Sequence, residues 1–428
     1  MTVSRGSHWG LQDRIICPHC WERFPPERCL WISTHAALVG DVRIGADQQK
    51  RFTPERFSVD GDAFDLHGSP CQDLACPKCH LIVPRACLEM QPIFMSMLGA
   101  PGSGKSVFLG AMTAELRRML VRHFCLSFAD ADPIMNEHVI GYENALSTLS
   151  SGAKYGDFVP IESRIAKTDA TLFTDQVKYD SGDVLYPRPV IFTVQPSAGH
   201  TNEGKARRVA RSVCFYDNAG ESFTPGIDRT AQPFTRHLAE AQVLLIVIDP
   251  TQDADFQQAM NAAGCDLRAC EWAHRQDSYI HESARRIRKF SRKRETDKFP
   301  APVIVILTKC DSWWDVLGID RPGDPWVRPK DLKFSALNVS TIEDVSAHCQ
   351  EKLRSLCPLI TNAIEGFASD VVYIPVSAAG WSTTYDPETK KPAIKLGAEA
   401  QRHWVIVPFL YALRRVAPTL LAEVRRKA

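Results

Sequence analysis

Short apolar runs alternate with longer amphipathic stretches along most of the chain, starting near Gln91. Six runs rich in β-branched and other apolar residues predict strands at 93–98, 189–194, 211–216, 243–249, 303–308 and 371–376. Five stretches with helical spacing predict helices at 105–122, 133–149, 278–293, 341–367 and 407–416. Because strands that alternate with helices are typical of a parallel sheet covered by helices, we expect an α/β fold with a mostly parallel sheet.

The first 90 residues lack this alternation and are rich in Cys, Pro and Arg. We therefore predict two unequal domains: a small cysteine-rich domain with an insertion at 1–90, and an α/β domain at 91–428. The remaining segments of the second domain are interpreted as loops or small insertions, at 151–188, 250–277, 312–340 and 381–403.

The first predicted strand leads directly into a phosphate-binding loop. The segment Gly99, Ala100, Pro101, Gly102, Ser103, Gly104, Lys105 and Ser106 fits the pattern GxxxxGK[ST], between a strand and a helix. Glycines allow the backbone to wrap closely around phosphates, and the amides at the helix N-terminus supply positive potential. We expect Lys105 to reach the β- and γ-phosphates and the Ser106 hydroxyl to bind Mg²⁺.

Three further segments follow later predicted strands and favour guanine nucleotides. Asp217 and Gly220 fit DxxG, with the aspartate near Mg²⁺ and the glycine amide near the γ-phosphate. Thr308, Lys309 and Asp311 fit [NT]KxD, in which the carboxylate accepts two hydrogen bonds from guanine and the lysine stem covers the base. A backbone amide of Ser377-Ala378 can meet the guanine carbonyl oxygen. Adenine offers no matching pair of donors, so GTP or GDP is the expected ligand.

With these four motifs in order, residues 91–416 resemble the P-loop GTPases. The cysteine-rich start, the segment 98–106 and the segment 216–223 resemble more narrowly the bacterial double-GTPase families of conflict and defence gene clusters. This resemblance implies a P-loop GTPase fold preceded by a zinc-ribbon-like domain. It also implies a role beside partner proteins such as an effector, an activator or a second GTPase unit.

Two positions depart from the common GTPase pattern. Glu221 stands where many GTPases place a glutamine that orients water, and a carboxylate is repelled by the γ-phosphate, so we expect slow hydrolysis without a partner. Thr308 replaces the commoner asparagine, and its hydroxyl can still make a local hydrogen bond. For the Mg²⁺-binding threonine of the first switch the candidates are Thr168, Thr171 and Thr174, of which we favour Thr168.

Two CxxC pairs in the first domain predict a metal site. Short loops of this kind direct both sulfurs at one ion, so Cys17, Cys20, Cys76 and Cys79 form the expected tetrahedral set for Zn²⁺. Four thiolates leave no ligand position for water, which indicates a structural site. Free structural thiols are the alternative interpretation, and a redox pair is disfavoured because neither CxxC opens a helix after a strand.

Composition and charge narrow the classes of protein further. The chain has 428 residues, 44% of them hydrophobic and 24% charged, and its 51 basic and 50 acidic residues give a net charge of +1. This balance does not favour nucleic-acid binding. A basic stretch at 285–294 is interpreted as a solvated helix face. No apolar run approaches the roughly 18 residues needed to cross a membrane, and the start has no signal-peptide core, so we expect a cytoplasmic protein.

The sequence therefore predicts a Mg²⁺-dependent GTPase that acts as a nucleotide-controlled switch. A GTP-regulated binding or scaffold module with negligible hydrolysis is the alternative. A P-loop ATPase with zinc-mediated nucleic-acid binding is a third interpretation, which Asp311 disfavours because adenine lacks the donor pair.

Overall fold

Seven strands form one central sheet in the computed structural model. The structure describes residues 10–150, 158–160, 174–217, 235–265, 275–380, 382–385, 387–389, 392–395 and 402–424. We number the strands of this sheet in chain order: β1 Gln91–Leu98, β2 Leu126–Asp130, β3 Val190–Pro196, β4 Arg211–Asp217, β5 Val243–Ile248, β6 Val303–Leu307 and β7 Val371–Pro375. The six predicted strands are confirmed to within about two residues at their ends, while β2 was not predicted.

The strand order across the sheet is β2-β3-β4-β1-β5-β6-β7. Strands β4, β1, β5, β6 and β7 are parallel to one another, whereas β3 is antiparallel to both β4 and β2. The expected mostly parallel α/β sheet is therefore confirmed, with an antiparallel extension at one edge. Strands β4 and β5 pair with opposite sides of β1. In a parallel sheet, the point at which successive connections lead to opposite sides of a strand has a binding crevice at the carboxyl ends of the strands.

Seven helices longer than two turns accompany the sheet in the described part of the chain. They are α1 Lys105–Phe124, α2 Glu137–Ser150, α3 Ala254–Ala262, α4 Gln276–Ser291, α5 Val339–Leu356, α6 Pro358–Phe367 and α7 Val407–Val416. The single helix predicted at 341–367 is wrong. It is divided before Pro358, because a proline has no backbone N–H and fits best in the first turn of a new helix.

Single-turn helices occur at Ala86–Glu89, Ala206–Val209 and His237–Glu240.

The basic stretch at 285–294 lies on α4 and just after it, and it is not wholly exposed to solvent. Arg286 is fully buried and its Nε donates to Glu282 at 2.6 Å. No helix within the described ranges is both long and apolar enough to cross a bilayer.

The two faces of β1, β3 and β4 are covered by different parts of the molecule. Alternate side chains on these strands, Met95, Phe192 and Phe215 among them, pack in one cluster with Phe108 and Leu116 of α1. The residues between them point to the other face and pack with the cysteine-rich segment. They are Phe94, Ile191, Cys214 and Tyr216. Both faces of these strands are thus buried, which is why their sequences read as continuous apolar runs.

Residues 10–90 fold into a module of short strands. Its strands are Ile15–Ile16, Arg23–Phe24, Leu30–Ile32, Val39–Asp41, Gly45–Gln49, Arg51–Phe52, Ala63–Phe64, Pro70–Cys71 and Leu74–Ala75. We call residues 10–90 the cysteine-rich module. Because its apolar side chains share one cluster with β1, β3 and β4, the module is packed directly onto the central sheet.

Several segments interpreted as loops or small insertions contain regular structure. A hairpin joins Thr174–Tyr179 to Gly182–Pro187, and α3 lies within the segment 250–277. Short strands also pair at Phe158–Pro160, Pro392–Lys395 and Ser382–Tyr385, and at Trp326–Val327 and Ala336–Leu337. Of the two interpretations, small insertions with their own secondary structure describe these segments better than plain loops.

Candidate functional site

The phosphate loop lies at the carboxyl end of β1, between that strand and α1. A Cβ atom at Gly99 would lie 2.4 Å from the carbonyl oxygen of Val247 on β5, so only glycine fits there. Gly104 has φ +90°, in the left-handed region that favours glycine, and α1 begins at the next residue. These two constraints give the segment the sharp turn and close backbone approach that a phosphate cradle needs.

The side chain of Lys105 is folded back over the loop. Its Nζ donates to the carbonyl oxygens of Gly99 at 2.8 Å and of Ala100 at 2.9 Å. Burial lowers the pKa of Lys105 to about 8, and the nearby Asp217 acts in the opposite direction. Among the described residues, the hydrogen-bond acceptors of Lys105 Nζ are these two backbone carbonyl oxygens. A buried ammonium group in such a position can bind an anion through charge-assisted hydrogen bonds.

Asp217 ends β4 next to the phosphate loop. Within the described part of the chain, neither carboxylate oxygen of this buried residue has a hydrogen-bond partner. Burial raises the pKa of Asp217 to about 6, and Lys105 acts in the opposite direction. The buried Ser103 hydroxyl, in the loop itself, likewise has no hydrogen-bond partner among the described residues. Buried polar atoms of this kind are normally satisfied, so they mark a place where a polar ligand fits.

The side-chain oxygens of Ser106 and Asp217 are of the type that binds magnesium. Ser106, in the first turn of α1, provides a hydroxyl, and Asp217 provides a carboxylate; Mg²⁺ prefers such oxygen ligands. The chemistry of the residues therefore fits the ion that the sequence predicts.

The segment after β6 is joined to the phosphate loop. Thr308 Oγ1 donates to the carbonyl oxygen of Ser103 at 2.8 Å, and it lies 3.1 Å from the carbonyl oxygen of Ile248 at the end of β5. The hydrogen bond expected from this threonine is thus present, but it reaches across 205 positions of sequence rather than being local. It fixes the distance between the loop after β1 and the loop after β6.

Lys309 and Asp311 follow in the same segment. Lys309 has a left-handed backbone, with φ +59°, and its Nζ pairs with Asp249. Asp311 lies in a short 3₁₀ turn, Cys310–Ser312, and is partly exposed. Trp313 is almost fully buried and its Nε1 donates to the carbonyl oxygen of Thr308 at 2.9 Å, which anchors the turn from the other side.

Asp249 is a site residue that the sequence analysis did not identify. It lies immediately after β5, is fully buried, and accepts from the hydroxyl of Thr251 at 2.6 Å. Gln276 of α4 holds the backbone of Asp249 with two hydrogen bonds, at 3.0 and 2.8 Å. A polar residue at the end of a buried parallel strand was the available signal, because such strand ends meet at one edge of the sheet.

Ser377 and Ala378 follow β7. The amides and carbonyl groups of Ser377 and His403 exchange two hydrogen bonds of 3.0 Å, so the Ser377 amide is already engaged. The Cys310 amide donates to the Val376 carbonyl at 3.2 Å, which keeps the loops after β6 and β7 side by side. Of the two predicted amides, that of Ala378 is therefore the candidate for a base contact.

The structure thus gathers most of the predicted residues at one edge of the sheet. The loops after β1, β6 and β7 lie at the carboxyl ends of parallel strands, next to Asp217 at the end of β4. Thr168, Thr171, Gly220 and Glu221 lie outside the described residues. Thr174 is the first residue of the hairpin strand Thr174–Tyr179.

A second site lies in the cysteine-rich module. The Sγ atoms of Cys17, Cys20, Cys76 and Cys79 are buried and all lie within 4.8 Å of one another, an arrangement that could hold a metal ion. The Sγ atoms of Cys17 and Cys79 are 3.7 Å apart, and those of Cys20 and Cys76 are also 3.7 Å apart.

The two CxxC loops have the same backbone geometry. Trp21 and His80, which directly follow the two pairs, have φ +57° and +62°, and their amides donate to the carbonyl oxygens of Cys17 and Cys76. The amides of His19 and Lys78 each approach the first sulfur of their loop at 3.4 Å. N–H groups aimed at sulfur favour the thiolate form, so this donor set fits Zn²⁺ with four cysteine ligands.

Comparisons with known proteins add little to this geometry. No protein-family model and no curated protein matches the chain. Among solved structures, the chain matches the crystal structure of the S. cerevisiae Ski7 GTPase-like domain bound to GDP and inorganic phosphate. The TM-score is 0.27 and the identity 12%, over 68% of this chain and 44% of that one. The chain therefore spans less than half of the length of that structure, and a similarity at this level assigns neither a family nor a ligand.

Proposed function

We propose that the chain is a Mg²⁺-dependent GTP-binding protein that hydrolyses GTP to GDP and phosphate and acts as a nucleotide-controlled switch. One observation carries this proposal. The Thr308 hydroxyl joins the segment expected to bind the base directly to the phosphate loop, in a molecule where Lys105 and Asp217 lie beside that loop. Phosphate and base contacts are thereby held at a fixed separation, as one nucleotide requires.

In this proposal the phosphates, the Mg²⁺ ion and the guanine base are each bound by a different group of residues. The backbone N–H groups of the phosphate loop, which Pro101 lacks, and the ammonium of Lys105 bind the phosphates and compensate the charge that develops when the γ-phosphate is cleaved. Asp217 and Ser106 would hold Mg²⁺, which when bound screens the phosphate oxygens. Asp311 accepts from the guanine, the Lys309 stem covers the base, and the Ala378 amide donates to the guanine carbonyl oxygen.

Switching would follow from contacts to the γ-phosphate. In this proposal Thr168 and Gly220 contact that group and lose it on hydrolysis, while Glu221 lies beside the attacking water. The same proposal includes the division into domains at 1–90 and 91–428, with Zn²⁺ bound by the four cysteines of the first. A role beside partner proteins in bacterial conflict or defence is proposed from the family resemblance alone.

Single-turnover hydrolysis tests the enzymatic part of the proposal. Purified chain in excess over GTP, with saturating Mg²⁺, should release phosphate slowly. Lys105→Ala should abolish both GTP binding and phosphate release. Glu221→Gln should change the rate constant while leaving GTP affinity nearly unchanged, because this contact belongs to the transition state. GTP binding with no phosphate release, alone or with proteins encoded beside it, would instead support the non-hydrolysing binding module.

A further inference from the structure

Tyr216 lies between the two sites. It is the residue before Asp217 on β4, and it is 1% exposed. Its hydroxyl donates to the carbonyl oxygen of Pro18, inside the first CxxC loop, at 2.5 Å. A single side chain thus joins the loop that contains Cys17 and Cys20 to the strand end that carries Asp217.

The aromatic ring of Tyr216 makes further contacts with the same region. Its centroid lies 5.9 Å from that of Trp21, which directly follows the CxxC pair, and it stacks on His237 at 4.9 Å. The guanidinium of Arg236 lies 5.8 Å from the centre of the Trp21 ring. The first cysteine loop therefore contacts the chain at Tyr216 and again at Arg236, on both sides of the segment 218–234.

The same loop also contacts the hairpin that follows the segment 161–173. His19 is buried, its Nε2 lies 3.0 Å from the carbonyl oxygen of Ile82, and its Nδ1 lies 3.8 Å from a carboxylate oxygen of Asp175. Asp175 is held in turn by Arg188 at 2.6 Å. Residues 17–21 thus contact the two parts of the chain that adjoin the proposed switch segments.

We propose that Tyr216 is a positioning residue that couples the four-cysteine site to Asp217. The inference rests on the proposed function, since it assigns Asp217 to the Mg²⁺-nucleotide. A metal held by the four cysteines fixes the loop from Cys17 to Cys20 and with it the Pro18 carbonyl, and this carbonyl fixes the end of β4 through the Tyr216 hydroxyl. Because coupling between two binding equilibria is reciprocal, zinc tightens binding of the Mg²⁺-nucleotide, and the Mg²⁺-nucleotide tightens binding of zinc by the same factor.

A purely structural role for these contacts makes a different prediction. If the module only covered an apolar face of the sheet, loss of the Tyr216 hydroxyl would lower thermal stability without changing how nucleotide binding depends on Mg²⁺. If the two sites are coupled, loss of the Tyr216 hydroxyl instead makes Asp217 a poorer ligand for Mg²⁺. A higher Mg²⁺ concentration is then needed for the same nucleotide occupancy.

The test is an equilibrium competition for zinc between the full chain and a chromogenic chelator, with and without saturating GDP and Mg²⁺. In the wild-type chain, GDP and Mg²⁺ should raise the apparent zinc affinity at least about five-fold. Tyr216→Phe keeps the ring and removes only the hydroxyl, so the ratio should fall toward one. In the same variant the Mg²⁺ concentration for half-maximal GDP binding should rise several-fold.

Tyr373→Phe is the matched control, because it removes a buried hydroxyl from β7 of the same sheet, far from the cysteines in the strand order. It should keep the wild-type zinc ratio and Mg²⁺ dependence. Equal zinc affinity of the wild-type chain with and without bound GDP would overturn the coupling and leave the proposed function intact. Failure of the wild-type chain to bind guanine nucleotide at all would overturn the proposed function and the coupling together.

Discussion

The ion pair between Lys309 and Asp249 shows how a motif residue depends on a partner outside its motif. The two residues are separated by 60 positions, and Asp249 is fully buried while the Lys309 side chain is 31% exposed. The pair keeps the lysine stem beside the loop that carries Asp311. The Asp249 carboxylate is shielded from water, so removal of the lysine would leave a buried charge without a partner of opposite sign.

A double-mutant cycle measures this pair. Asp249→Asn and Lys309→Met should each lower the free energy of unfolding, and the double variant should lose about 1 kcal/mol less than the sum of the two losses. The measurement is urea unfolding of the four proteins. Simple additivity would show that the ion pair does not hold the lysine in solution.

His237 is a second buried residue with a measurable consequence. Burial lowers its pKa to about 3, and its Nδ1 lies 2.9 Å from Ser96 Oγ on β1. In the unfolded chain an ordinary histidine takes up a proton below pH about 6.5. The unfolded state therefore binds more protons than the folded state between pH 6.5 and about 3, and stability falls as the pH falls through this range.

We predict that His237→Gln reduces this acid sensitivity. The difference in free energy of unfolding between pH 7 and pH 5 should shrink by about 2 kcal/mol, because the variant no longer has to keep this imidazole neutral. Urea unfolding at the two pH values provides the measurement, with His281→Gln, at an exposed position of α4, as the control. A variant with the wild-type pH difference would contradict the assignment.

Motif residues could be predicted from the sequence because their spacing is local. Gly99 to Ser106 are contiguous, and Lys309 and Asp311 are two positions apart. The contacts from Tyr216 to Pro18 and from Thr308 to Ser103 could not be predicted, because they join residues 198 and 205 positions apart. Such pairs are defined by the packing of the sheet and leave no pattern in a single sequence.

The same distinction holds for whole elements. Strands β1, β4, β5, β6 and β7 are continuous apolar runs, so their positions followed from composition. Strand β2, Leu126–Asp130, was missed because it is a short edge strand in which buried positions alternate with partly exposed ones. The hairpin at 174–187 was missed because most of its positions are at least partly exposed, which leaves little apolar pattern.

The phosphate loop as an element depends on Gly99. In Gly99→Ala the new Cβ would collide with a backbone oxygen of β5, which has no freedom to move within the sheet. We expect a loss of about 2 kcal/mol or more in unfolding free energy and a large loss of nucleotide affinity.

Gly141→Ala is the matched control for this substitution. Gly141 lies on the exposed side of α2 with nothing within 4 Å of its Cβ position, so alanine should stabilise the helix by about 0.5–1 kcal/mol. Thermal unfolding and nucleotide titration of both variants provide the measurement. Equal behaviour of the two alanine variants would show that the backbone contact at Gly99 does not constrain the loop.

At the scale of the whole molecule, the cysteine-rich module and the central sheet share one apolar cluster. Cys17, Cys76 and Cys79 belong to the same cluster as Ile191 and Tyr216. The sequence predicted the cysteine ligands but not this packing, because nothing in residues 10–90 alone indicates which face of the sheet they cover. Loss of the metal should therefore disturb β1, β3 and β4 as well as the module.

Cys76→Ser tests this consequence. Metal binding contributes directly to folding free energy, so the variant should lose its zinc and about 3 kcal/mol or more of stability. Hydrogen exchange should increase in β4 as well as in the module. Cys71→Ser, at a buried cysteine of the same module outside the four-cysteine set, should retain one zinc per chain. A zinc-free Cys76→Ser protein with wild-type stability would show that metal binding does not contribute to the stability of the module or the sheet.

The preference of the site for guanine can be measured by nucleotide competition. Labelled GDP bound to the full chain is displaced by GTP, ATP or XTP, in the wild type, in Asp311→Asn and in the control Asp315→Asn, an exposed aspartate four residues further along. Two hydrogen bonds to a carboxylate predict that GTP displaces GDP at a concentration about 100-fold lower than ATP. Asp311→Asn should shift the preference toward XTP, and Asp315→Asn should retain the preference for GTP. Equal displacement by GTP and ATP in the wild type would contradict the assignment of a guanine-nucleotide site.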